Sequence, residues 1–82
     1  MGTILYVGNL SPDTTADDLR SVFGRFGAVL QAFVATDRLT GLSRGHGFVE
    51  MATGAALAAR VLDGTPLHGH ALRVSTVSPA GP

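Results

Sequence analysis

Tyr6, Phe33, His46 and Phe48 carry flat π faces within segments that read as extended chain. His46 and Phe48 are two residues apart, so an extended backbone points both to one side. Arg44 is two residues earlier, at the end of the segment. A ring fixed on a rigid strand offers a stacking surface to another flat π system. A guanidinium beside it offers a planar fork of donors to anionic oxygen. Other chemistry finds less support. His68 and His70 form an H-x-H pair, but a third metal ligand has no evident source, because cysteine is absent and Asp63 precedes the turn. A polar loop is expected there, with no metal. Gly45-His46-Gly47 lacks the third glycine and the opening helix of a dinucleotide fingerprint. Neither a Ser-His-Asp order nor a pair of carboxylates falls in a plausible cleft, so the chain is not expected to be an enzyme.

Hydrophobic periodicity supplies the elements that must position these groups. Thr3 to Gly8 alternates as a strand, with Leu5 and Val7 on one face and Ile4 and Tyr6 on the other. Asn9 to Asp13 is a loop. Thr15 followed by Asp18 predicts a capped helix start, and Leu19, Val22, Phe23 and Phe26 form its buried stripe. Gly27 is the predicted stop. A second strand spans Val29 to Asp37, with Val29 (or Leu30, through a bulge), Ala32 and Val34 inward. Gln31, Phe33 and Ala35 then face outward. Asp37 to Arg44 reads as a hairpin loop around Thr40-Gly41. Gly45 to Met51 is the third strand, with Gly47, Val49 and Met51 inward and His46, Phe48 and Glu50 outward. Thr53 is the predicted cap of a second helix that runs to about Leu62, with Ala55, Ala58, Ala59 and Leu62 buried. Asp63-Gly64 ends it, and Ala71 to Val77 is the last strand, with Leu72 and Val74 inward. The order βαββαβ predicts an α+β, ferredoxin-like sandwich: a four-stranded antiparallel sheet with two helices on one face. The other face stays bare and carries the aromatic cluster, which calls for a partner.

The chain has 82 residues, 45% hydrophobic and 15% charged, enough for one two-layer core and too apolar for a disordered chain. One domain over 1–78 is expected, with 79–82 a short flexible tail. The longest near-apolar stretch ends at Arg60, far short of a membrane span. The N-terminal residues lack the basic start of a signal peptide, so a cytoplasmic protein is expected. The lack of cysteine suits that reducing compartment. Six basic residues balance six acidic ones.

Two segments resemble a known family. Leu5-Tyr6-Val7-Gly8-Asn9-Leu10 is similar to the hexamer motif of the RNA recognition motif family. Arg44-Gly45-His46-Gly47-Phe48-Val49-Glu50-Met51 resembles its octamer motif. Asp37 to Ser43 is similar to the loop that precedes the octamer. The likeness covers about residues 3 to 77. It implies non-catalytic binding of single-stranded RNA on the open sheet face, with single-stranded DNA as a second candidate ligand and no cofactor. Small single-domain bacterial RNA-binding proteins are similar, and all-Arg basic residues with abundant Ala and Gly fit a GC-rich bacterial source.

Single-stranded bases need stacking platforms, and Tyr6 and Phe48 match the family's stacking positions. His46 occupies a third, where Phe or Tyr is usual. Met51 replaces the last aromatic of the octamer and is expected to point into the core. Arg44 matches a phosphate-contacting position. Phe33, Gln31, Asn9 and Arg73 complete the candidate set, with Arg38 at the rim. The octamer glycines are expected to keep the strand surface low for incoming bases. The rival is a protein-binding module of the same fold, which the balanced charge favours and the Tyr6–Phe48 pair disfavours.

Overall fold

The structure is a computed structural model that describes residues 2–77. The expected boundary at 78 and the 79–82 tail lie outside the described residues. Strand β1 is Thr3–Gly8, where Leu5 and Val7 are buried and Ile4 and Tyr6 are exposed. Helix α1 is Ala16–Phe23. Its start is the expected capping box. Thr15 Oγ1 accepts the Asp18 N–H at 3.1 Å, and Asp18 Oδ2 accepts the Thr15 N–H at 2.9 Å. Its end differs from expectation: Gly24, not Gly27, is the C-cap. Gly27 has another job. A Cβ there would run into the Thr53 carbonyl oxygen, while Thr53 Oγ1 accepts the Ala28 N–H at 3.1 Å.

That contact also relocates the start of helix α2, Ala55–Leu62. Thr53 does not cap it, because its hydroxyl is engaged with Ala28. Gly54 is the N-cap, with φ of 78° and no side-chain capping bond. A Cβ on Gly54 would also meet the Phe26 carbonyl oxygen, so the residue is glycine for conformation and for space. The buried stripe of α2 is Ala55, Ala58 and Leu62, with Ala59 partly buried, as its spacing predicts.

Strands β2, Val29–Thr36, and β3, Ser43–Met51, form a hairpin. β3 starts two residues before its predicted position. A register shift between Val29 and Gln31 lets Val29 pack on the core and leaves Leu30 51% exposed, which settles the two alternatives. The predicted last strand divides. A two-stranded ribbon of β4, Pro66–Leu67, and β5, His70–Ala71, precedes β6, Arg73–Thr76. His68 and Gly69 form its turn, with φ of 51° and 81°. Segments this short carry no hydrophobic period, which is why sequence alone did not separate them.

The main sheet has the order β2-β3-β1-β6, with antiparallel neighbours. Leu5, Val7, Val49, Met51 and Val74 project from it to meet Leu19, Phe23, Ala58 and Leu62 of the helices. Fully burying each large side chain of this kind contributes about 1.5–3 kcal/mol. Met51 is fully buried, as expected of an inward residue. Asp63 Oδ1 accepts the Val74 N–H at 3.0 Å and ties the end of α2 to β6.

Candidate nucleic-acid interface

The two central strands, β3 and β1, bring the aromatic residues together. Tyr6 pairs with Phe48 in register, and Phe48 pairs with Phe33. Three rings therefore form a row across β1, β3 and β2. Tyr6 is 36% exposed, Phe48 40% and Phe33 57%, which is the opposite of core packing. The Tyr6 and Phe48 ring centroids are 5.9 Å apart with planes at 70°. The Tyr6 and His46 centroids are 6.1 Å apart with planes at 26°, so these two faces are nearly parallel. Gly8 explains where the tyrosine lies. A Cβ on Gly8 would come within 2.8 Å of Tyr6 Oη, so the bare glycine makes room for the ring.

Arg44 is exposed near the start of β3, and Gly45, with φ of 84°, interrupts the strand alternation between it and His46. Arg73 pairs with Gly8 at the β6 edge and is also exposed. With Tyr6, Asp63, Val74 and Ser75 it lines a hollow of about 300 Å³. Arg38 is exposed in the β2–β3 loop. Asp37 shapes that loop, accepting the Leu39 and Thr40 N–H groups at 2.8 and 3.0 Å.

Two candidate residues have structural partners. The Asn9 amide donates to the Ala71 carbonyl at 2.8 Å and joins the end of β1 to β5. Gln31 lies on the platform face, where its Nε2 donates to Glu50 Oε1 at 3.3 Å. Gly47 does not lower the outer surface, contrary to expectation. Gly47 is on the inward side, where a Cβ would strike the Phe33 carbonyl oxygen, so it permits close approach of β2 and β3. Gly45 adopts φ of 84°. Ile4 and Glu50 were not among the sequence candidates, although alternation already placed both on the open face. They join Gln31, Phe33 and Phe48 around a shallow hollow of about 130 Å³. His68 lies apart from this face, with Nε2 3.1 Å from Asp18 Oδ2. Among the described residues no helix is long and apolar enough to cross a membrane.

A helix-backed antiparallel sheet with a row of exposed rings on its open face defines a ferredoxin-like platform domain. The chain belongs to the RNA recognition motif family, whose match spans residues 5–73. RbpE of Nostoc sp. strain PCC 7120, a cyanobacterial protein that carries an RNA-binding-protein name, is 47% identical over 77 residues, which are 92% of this chain and 78% of that one. Glycine-rich RNA-binding protein 2, mitochondrial, of Arabidopsis thaliana is 43% identical over 92% of this chain and 49% of its own length. Among solved structures, RNA-binding protein PG1 superposes with a TM-score of 0.90 at 38% identity, covering 98% of this chain and 99% of that one. An Sxl-lethal protein/RNA complex superposes with a TM-score of 0.85 at 35% identity, covering 92% of this chain and 47% of that one.

Proposed function

We propose that this protein binds single-stranded RNA without catalysis, on the open face of its sheet. Tyr6, Phe48 and Phe33 stack bases, His46 extends the platform beside Tyr6, and Arg44 and Arg73 contact phosphate. The observation that carries this is the in-register row Tyr6–Phe48–Phe33, exposed on the face that the helices leave open. Water solvates base faces poorly, and a ring already fixed on a strand needs little ordering to receive one. Family membership and relatives named as RNA-binding proteins support the same reading. Single-stranded DNA presents the same base faces and is a weaker expected ligand if 2′-hydroxyl contacts contribute. The cytoplasm is the proposed location.

A protein-binding role has one observation in its favour. Leu57 and Val61, 50% and 48% exposed, lie four residues apart on α2, away from the rings. An NMR titration with short single-stranded RNA distinguishes the two. The platform reading expects shifts at Tyr6, Phe33, His46 and Phe48. Shifts confined to Leu57, Val61 and their helix would overturn it.

A further inference from the structure

A carboxylate on a surface that receives a polyanion repels phosphate, so Glu50 weakens binding unless it meets a donor. It stands on the outer face of β3, beside Phe48 and opposite Ile4 of β1. Its stem is held in place. A Cβ on Gly2 would lie 2.8 Å from Glu50 Cγ and 2.9 Å from Leu30 Cδ1, so both side chains crowd that point. Its Oε1 accepts the Gln31 amide at 3.3 Å. Among the described residues it forms no ion pair. The Gln31 NH₂ keeps a second hydrogen, but the Glu50 carboxylate can only accept, and its Oε2 takes no part in this bond.

We propose that the Glu50–Gln31 pair is a base-selecting site that takes a base bearing an exocyclic amino group and rejects uracil. This rests on the platform reading above. A base stacked on Phe48 or Phe33 turns one edge toward the hollow that these rings share with Ile4, Gln31 and Glu50. Cytosine brings an N4 amino donor, adenine an N6 amino donor, and guanine an N2 amino donor beside N1–H. Uracil brings two carbonyl oxygens around a single N–H, and those oxygens would meet the acceptor-only Glu50 carboxylate. The site therefore sets sequence preference through a charge that costs overall affinity.

Cytidine and uridine hexamers provide the cleanest comparison, because ring size and phosphate count are the same. Affinities of both, by fluorescence anisotropy at fixed salt, are measured for the parent, for Glu50→Gln and for Tyr6→Ala. The parent is expected to favour the cytidine hexamer by about fivefold or more. Glu50→Gln is expected to bind both more tightly, because repulsion of phosphate is lifted, and to bring the ratio to within about twofold. A parent ratio within about twofold, or a parent-sized ratio retained in Glu50→Gln, overturns this inference. If Tyr6→Ala still weakens both hexamers in that case, the platform stands and only the selectivity falls. If Tyr6→Ala leaves both affinities unchanged, the platform reading falls with it.

Discussion

At the scale of single residues, His46 is where this chain departs from the aromatic pattern of its octamer on the open face, Met51 being the buried departure. Its ring is nearly parallel to Tyr6, so it is placed to extend the stacking surface rather than to fill a gap. An imidazole offers less area than a phenyl ring. His46→Phe is therefore expected to tighten RNA binding by about 0.5–1 kcal/mol at pH 8, less than a whole stacking increment. Weaker binding by that variant in fluorescence anisotropy would mean that the imidazole makes a specific polar contact. Thr14 presents a different case. It is 3% exposed, and among the described residues its Oγ1 has no hydrogen-bond partner. Thr14→Val keeps the shape and removes a desolvated hydroxyl, so urea unfolding should show a change between zero and about 1 kcal/mol of added stability. A loss above about 1 kcal/mol would show that the hydroxyl is satisfied in solution. The exposed positions of the three rings were legible because the strand alternation is regular through Tyr6, Phe33 and Phe48. Asn9 was not, because its partner is Ala71, and no local pattern links residues so far apart.

At the scale of elements, the N-terminus of α1 carries the clearest electrostatic device. Bonding by the Thr15 backbone N–H, followed by the His68 side chain, holds the Asp18 carboxyl below its ordinary range. The Thr40 and then the Leu39 N–H groups do the same for Asp37 in the β2–β3 loop. A depressed folded-state pKa means that the unfolded chain takes up protons first as pH falls. The resulting stability is fully present above about pH 4 and is lost as pH drops through the lower folded value. Asp18→Asn is therefore expected to lower Tm at pH 7 and to match the parent near pH 2. An equal Tm deficit at both pH values would show that the variant acts through packing instead. Here too legibility was uneven. The capping box lies within four consecutive residues, so the Thr15–Asp18 pattern announced it. Gly27 and Gly54 were misread because a glycine can end a helix, begin one or admit a neighbouring backbone, and only the Thr53 and Phe26 carbonyls show which. The β4–β5 ribbon has two residues per strand, too few for any period to emerge.

At the scale of the molecule, the charges balance over the whole chain and again around the open face. Asp13, Asp17 and Asp18 gather at the start of α1, and Arg20 is paired with Asp17 at 2.9 Å. Arg73 stands on the sheet face, Arg44 near the start of β3 and Arg38 in the adjacent loop, while Glu50 shares that face, Asp63 lines the hollow with Arg73 and Asp37 precedes Arg38. With about two to three phosphates neutralised, the slope of log K against log salt should be about −1.4 to −2 for a single strand. Titrations across a salt series check this, and a slope near −5 would place more cations at the interface than this face provides. Binding should then depend chiefly on the rings. The core lies on the opposite side of the sheet, so the platform can be removed without dismantling the fold. The most direct measurement is RNA affinity of the Tyr6→Ala/Phe48→Ala double variant, with circular dichroism to confirm folding. Each ring is expected to contribute about 1–3 kcal/mol, so a folded double variant should bind at least about 30-fold more weakly than the parent. A folded double variant that binds RNA at the parent affinity would contradict the platform.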